Sequence, residues 1–403
     1  MAIDNWKQAS LGEQVDLLTG FPFKSAEYTE DITGIPLVRG DNVVQGMFRW
    51  DDVKRWSREK VQTLSDYFLI QGDVVLAMDR PWIEAGLKYA CVSEHDIPCL
   101  LVQRVSRLRA KTTLDQKFLR YVIGSPEFTN YILGTQTGTA VPHISSNQIK
   151  GYKFLLPPVS EQHAIAGILG ALDDKIEVNR RMNATLESMA RAVFLEMTKD
   201  KEQRTEKAIG DVVTIVGGST PSTANPTFWN DGDINWATPK DLAPLQSPFL
   251  LETNSWITKL GLKEIGSGLL PVGTVLLSSR APIGYLAITQ IPVAVNQGFI
   301  AIKCTEEVPN YFVLNWLKEN MDEIIGRANG TTFLEISKSN FRPMKIIVPS
   351  PEKMKAFVET VEPLYQKIVA NLKESRTLGS LRDSLLPKLM RGVIRVKDVE
   401  KDL

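Results

Sequence analysis

The chain has 403 residues, 43% apolar and 23% charged, with 47 acidic and 47 basic side chains. That composition describes a folded protein with room for two or more cores, and it excludes both a disordered chain and a global polycation. No apolar run approaches the roughly 18–20 residues of a membrane span, and the opening MAIDNWKQASL has no apolar leader stretch, so a cytoplasmic protein is expected.

The predicted elements begin with short β-like runs punctuated by Gly and Pro, namely IPLVRG, DVVLAM, LLVQRVSRLRA and YKFLLPP. Their β-branched content predicts strands of an α+β domain. Two local basic runs lie among them: Lys54, Arg55, Arg58 and Lys60, and then Arg104, Arg107, Arg109, Lys111, Lys117 and Arg120. Each reads as a solvated face or as a phosphate-contacting one. Cys91, Cys99 and Cys304 lack metal-ligand spacing, and the three histidines complete no ligand set with them, so reduced thiols and no metal site are expected. A short helix is predicted over residues 116–131.

After Pro157-Pro158, Ser160 is placed to cap a helix, and Glu161 and Gln162 favour its positive end. Apolar residues then recur in steps of four and three, through Ile165, Leu169, Leu172, Ile176, Leu186, Ala190, Val193 and Met197, with Asn179 and Asn183 interrupting them. This is a heptad seam with a polar step, which costs stability while fixing register. A second set of strand-like runs follows (INWATP, GTVLLSS, GFIAIKC, MKIIVPSP), then a helix over 309–325 and a second seam through Phe357, Val361, Leu364, Ile368, Asn371, Ser375, Leu378, Arg382, Leu385 and Leu389.

The second half therefore repeats the first. From Gly138 to Leu195, adding 192 gives the counterpart, as with Ile144 and Ile336, Pro157 and Pro349, or Asn179 and Asn371. Upstream, LGEQVDLLTG pairs with IGDVVTIVGG and LIQGDVVLAMDRPWI with LPVGTVLLSSRAPIG. A period of half a chain means two modules, each with its own core. Matching stripes make the two helices natural antiparallel partners, with Asn179, Asn183, Asn371 and Ser375 as a shared polar layer. Helices of about 35 residues would be about 50 Å long, and would hold two inverted modules apart like a ruler.

Residues 156–194 (LPPVSEQHAIAGILGALDDKIEVNRRMNATLESMARAVF) resemble the central helix of type I restriction-modification specificity subunits, and GGSTPSTANPTFWNDGDINWATPKDL, LLSSRAPIGYLAI, AVNQGF and TGTAVPHISSNQIKGYKFLLPP resemble that family's recognition domains. The resemblance implies two tandem mixed α/β target recognition domains, at 1–158 and 199–350. It also implies spacer helices at 159–198 and 351–390 in an antiparallel coiled coil, and a tail at 391–403. The implied role is non-catalytic: reading a bipartite, asymmetric site in double-stranded DNA, one half per domain, and docking two methyltransferase subunits. Restriction subunits can join, and S-adenosylmethionine, ATP and Mg belong to the partners, with no cofactor on this chain. Two departures stand out, Lys353-Met354 in place of Glu161-Gln162, and Arg382 in place of Ala190.

Candidate DNA contacts fall in matched loops, because a framework positions loops and loops carry function. Arg39, Asp41 and Asn42 correspond to Thr238, Lys240 and Asp241, with a turn cap as the alternative for the acids. Arg80 and Arg280 form the most attractive pair, each stiffened by a nearby Pro and able to offer two donors to guanine or phosphate, or else to pin its loop in an ion pair. Gln103 and Gln297 share one point of the repeat and either read adenine or tie strands together from a buried position. Thr137, Thr139 and His143, and likewise Thr331 and Thr332, lie in Gly-containing turns suited to phosphate or to a tight connection. NPTF (Asn225 to Phe228) lacks the second Pro of an adenine methyltransferase motif, and no phosphate loop occurs. The rival reading is a scaffold that assembles partners without reading DNA; a further one is the specificity subunit of a bipartite system whose methylation and cleavage share one partner chain.

Overall fold

The computed structural model describes residues 5–138, 141–199, 204–330 and 334–396. The chain forms two compact units, Met1–Lys175 with Thr377–Leu403, and Ile176–Arg376. In the first, a five-stranded sheet runs in the order Val15–Thr19, Val105–Ala110, Val74–Ala77, Tyr89–Cys91, Gln45–Gly46. In the second, Thr214–Val216, Phe299–Lys303, Val275–Ser279, Ile283–Thr289 and Phe249–Leu250 repeat that order. Only the last pair of each sheet is parallel. The central strands, Val74–Ala77 and Val275–Ser279, are buried on both faces, which explains why VVLA and the VLL of VLLSS show no apolar-polar alternation. Each unit adds a three-stranded sheet and a two-stranded ribbon, and the first unit has a second ribbon, Trp82–Ile83 with Gly86–Leu87. The run LLVQRVSRLRA is two strands, Leu100–Leu101 and Val105–Ala110, separated by a turn in which Arg104 takes φ 65°.

The short helices are also broken. Gly124 ends Gln116–Ile123, and Ser125 caps Pro126–Thr135 by accepting from the Phe128 N–H at 3.1 Å. Asn320 separates Asn310–Glu319 from Met321–Gly326.

The two long helices are α1 (Val159–Lys199) and α2 (Pro351–Met390). Ser160 is not the cap of α1. The helix starts one residue earlier, and the Pro158 carbonyl accepts from the N–H groups of Glu161 and Gln162 at 2.9 and 3.0 Å. Gln162 is buried and serves tertiary structure: it accepts from the Asp115 N–H at 2.7 Å and donates to the carbonyls of Thr113 and Pro157. Met354 fills the matching position with an apolar side chain, buried to 4% exposure, so the departure there is a polar core contact replaced by packing.

Within the second unit the seam meets its partner in antiparallel register, Asn179 beside Ser375 and Asn183 beside Asn371. Asn179 Nδ2 donates to Glu374 Oε2 at 2.8 Å and to Ser375 Oγ at 3.2 Å, and Asn371 Nδ2 donates to Asn183 Oδ1 at 2.9 Å. The Oδ1 atoms of Asn179 and Asn371 are buried with no partner among the described residues. Such an oxygen costs about 1–3 kcal/mol, so the layer favours register over stability. Replacing Asn179, Asn183 and Asn371 together by Leu is expected to raise the melting temperature while loosening register, read as faster amide exchange at the helix centre. A lowered melting temperature would show the layer to be net stabilising. On α2, between the fully buried Val361 and Ile368, it is Tyr365 rather than Leu364 that is fully buried.

The first unit carries a charged layer instead. Asp173 of α1 accepts from Tyr121 at 2.8 Å and Arg382 of α2 at 2.7 Å, with Arg120 at 3.2 Å. This gives Arg382 its place on the seam between Leu378 and Leu385. Near the start of α1, Trp6 donates to Glu161 at 2.9 Å, and Arg395 pairs with the same carboxylate. All three cysteines are free thiols, and burial pushes Cys99 and Cys304 up to about 12. Among the described residues, no helix is long and apolar enough to cross a membrane.

Candidate nucleic-acid interface

In the first unit, one end of the sheet gathers the turn after Val15–Thr19, the turn before Val105–Ala110, the exit of Val74–Ala77 and the loop around residues 137–143. Gly20 donates to the Val105 carbonyl, Met78 to Arg104, Ile144 to Met78 and Arg80 to Pro142. Thr137 and His143 exchange backbone hydrogen bonds at 2.8 and 2.7 Å, closing a hairpin whose Gly138 takes φ 90°. The same frame recurs in the second unit, where Asn329 and Glu335 close the hairpin and Ile336 donates to Ser279. Thr139, Thr331 and Thr332 lie outside the described residues.

The structure moves the arginine pair by one residue. Ser279 occupies the place of Met78, so Arg280 matches Asp79, and Arg80 matches Ala281; the last two share a positive φ, 45° and 52°, each before a Pro. The interaction is conserved in form and reversed in sign. Asp79 meets His143 at 2.6 Å and accepts from Arg104 at 2.6 Å, whereas Arg280 faces Glu335 at 3.7 Å and Gly298 stands where Arg104 does. Partial burial opposes ionisation of Asp79, but the hydrogen bonds from Arg104 and His143 outweigh it and hold the carboxyl below its ordinary range. Arg80 is exposed and has no ion pair among the described residues.

The polar atoms of Asn42, Thr238 and Asp241 hold the turns, the capping role given above as the alternative for the acids. Asn42 is buried, accepts from the Arg39 N–H at 2.7 Å and donates to the Leu37 carbonyl. Asp241 is also buried; one oxygen accepts from the Thr238 N–H and hydroxyl at 2.7 and 2.9 Å, the other from the backbone and side chain of Asn254. Both frames leave a neighbouring side chain outside, Asp41 paired with Arg39 at 3.4 Å in one and exposed Lys240 in the other.

Gln103 and Gln297 are exposed rather than buried strand ties. The Gln103 amide has no partner among the described residues, and Gln297 accepts from Thr220 at 2.6 Å. The basic runs, by contrast, are largely neutralised within the fold. Arg107 pairs with Asp16, Arg109 forks onto Asp73, Arg120 meets Asp173, Lys54 meets Glu30 and Lys60 meets Glu27. Asn225 of NPTF caps its own turn, accepting from Thr227.

Sequence reasoning missed Lys88. Its ammonium reaches the Gly40 carbonyl and its backbone N–H the Pro81 carbonyl, joining the 39–42 loop to the Arg80 turn. Burial lowers its pKa, with Asp41 and Asp79 opposing the change and Arg80 and Arg49 reinforcing it. No spacing marks such a residue; only the sheet brings it there.

The family model for the type I restriction modification DNA specificity domain matches residues 3–188 and again 201–376. The chain belongs to that specificity family. Among its members, the EcoAI specificity subunit of Escherichia coli is 35% identical over 181 residues, 44% of this chain and 30% of that protein. The putative MjaX specificity subunit of Methanocaldococcus jannaschii is 24% identical over 396 residues, covering 93% of this chain and 90% of that one. The chain spans less than half the length of several curated relatives in the family. The crystal structure of the M. genitalium type I S subunit shares the fold, with a TM-score of 0.56 over 96% of both chains at 17% identity. The framework of this specificity family is thus built twice here, with different side chains at one matched sheet end.

Proposed function

We propose that the chain is the DNA-reading, non-catalytic subunit of a type I restriction-modification complex. Each unit reads one half of a bipartite duplex site, and the long helices dock two methyltransferase subunits, to which restriction subunits can be added. S-adenosylmethionine, ATP and Mg belong to those partners. The observation that carries the reading is the difference in side chains between two sheet ends built on the same strand order and the same backbone hydrogen bonds. Asp79, Arg80, Gln103, Arg104 and His143 in one unit correspond to Arg280, Ala281, Gln297, Gly298 and Glu335 in the other. A shared framework with different exposed donors and acceptors is what two different half-sites require, since phosphate contacts position a protein and side chains at base edges specify. Arg39, Arg80, Lys240 and Arg280 supply charge toward phosphate or guanine. Coexpression with the modification subunits, followed by mapping of N6-methyladenine across the host DNA, tests this. A two-part motif with a fixed gap, lost when the chain is omitted, is expected. A stable complex with an active partner but no chain-dependent methylation would favour the scaffold.

A further inference from the structure

The first unit contains an insertion that the second lacks. After Arg80-Pro81 the chain forms a hairpin, Trp82–Ile83 against Gly86–Leu87, before it enters the strand Tyr89–Cys91. In the second unit Pro282 leads directly into Ile283–Thr289. The hairpin is anchored at its base, where Lys88 donates to the Pro81 carbonyl at 2.7 Å, and braced near its turn, where Gln45 donates to the Gly86 carbonyl at 3.3 Å. Gly86 takes φ 121°, a conformation that L side chains rarely adopt. Leu87 is turned into the core, whereas Trp82 and Ile83 are each 39% exposed, and the Trp82 indole N–H has no partner among the described residues. A two-stranded ribbon is marginal by itself, and Trp82 and Ile83, adjacent in one strand, project an aromatic and an aliphatic side chain from its two faces, as a ribbon entering a groove would use them.

The surroundings select the occupant. Arg80 is exposed at the foot of the hairpin with no ion pair among the described residues; around it lie Arg49, Lys88 and Arg104 together with the acids Asp41 and Asp79, the latter paired with Arg104, and Glu84 is exposed at the hairpin turn. Exposed apolar side chains beside an exposed arginine that has no ion pair among the described residues suit a polyanion with apolar surface in its grooves. We infer that this hairpin is a duplex-contacting element of the first unit, laying Trp82 and Ile83 against sugar and base surfaces of its half-site while Arg80 and Arg49 meet the flanking phosphates. The inference rests on the DNA-reading role proposed above. It makes the two half-sites unequal in kind, one read with an apolar wedge and one without.

The test uses the full chain assembled with its modification subunits, comparing wild type, Trp82→Ala with Ile83→Ala, Trp82→Phe, and Arg80→Ala. The double variant is expected to assemble normally and to lose about tenfold or more in affinity for the cognate duplex, as stacking and groove contacts by aromatic side chains do. Its methylation map should keep one half of the motif and relax the other. Trp82→Phe should retain most of the affinity, and Arg80→Ala should reduce the salt dependence, which the double variant leaves unchanged. Wild-type affinity and motif in the double variant would overturn the inference, and so would loss of subunit assembly, which would assign the hairpin to a protein interface. If the wild-type complex itself methylates no chain-dependent motif, the underlying DNA-reading role fails, and the inference with it.

Discussion

Asp173→Ala is expected to destabilise the first unit by about 3–5 kcal/mol, the usual cost of removing one partner from a buried ion pair. The Asp173 side chain is 8% exposed and faces Arg382 and Arg120, so its loss leaves two guanidinium groups together in a largely enclosed site. Burial keeps the Tyr121 hydroxyl well above its ordinary range, so it remains a donor whose acceptor has gone. The second unit shows an alternative solution at the same four positions: Leu314 for Arg120, Asn315 for Tyr121, Tyr365 for Asp173 and Ala190 for Arg382. There Asn315 donates to the Tyr365 hydroxyl at 2.8 Å. Grafting all four residues into the first unit should recover most of the loss, because the residues act as a group. Denaturant unfolding of wild type, single variant and graft measures this. A graft no better than Asp173→Ala would mean that the two layers are not interchangeable.

Gly218→Ala is expected to cost about 3 kcal/mol or more in the second unit, which places it among the severe overpacking substitutions. An added Cβ would stand 1.8 Å from the Val295 carbonyl oxygen and 2.5 Å from that of Asn296. Both are backbone atoms of the turn that presents Gln297, so no side chain can swing away. Gly20, the counterpart, meets the Val102 carbonyl at 2.2 Å and should respond similarly. Gly167→Ala is the control: it lies on α1 with nothing within 4 Å of the added carbon, and should stabilise by about 1 kcal/mol through helix propensity. Thermal unfolding of the three variants separates the cases; a Gly218→Ala variant as stable as wild type would mean that the turn can open without loss.

The repeat, the strand-rich units and the two long helices were legible because they rest on periodicity, which local sequence carries. The helix breaks at Gly124 and Asn320 were not, since a single capping residue interrupts an apolar pattern without erasing it. Nor was the charged layer: Asp173 sits beside Leu172 and reads as a solvated flank until Arg382, distant in sequence, is brought opposite. The arginine pairing failed for a smaller reason. The aligned strings already set Asp79 against Arg280, but shared chemistry drew Arg80 into that place. The basic runs misled because composition does not reveal that Asp16, Asp73 and Asp173 come from other segments to neutralise them.

The sign-reversed bridge at the sheet end has a consequence for inheritance. Grafting residues 329–335 into the first unit would set Glu335 against Asp79, two carboxylates at the same rung. The reciprocal graft would bring His143 to Arg280 and remove the acid that holds it. A genetic crossover within a unit therefore separates side chains that interact as a set, whereas exchange of an intact unit carries the set along. On the proposed DNA-reading role, specificity is then exchanged most safely as whole units, and single-position change is tolerated best at exposed Gln103 and Lys240, which have no ion pair among the described residues.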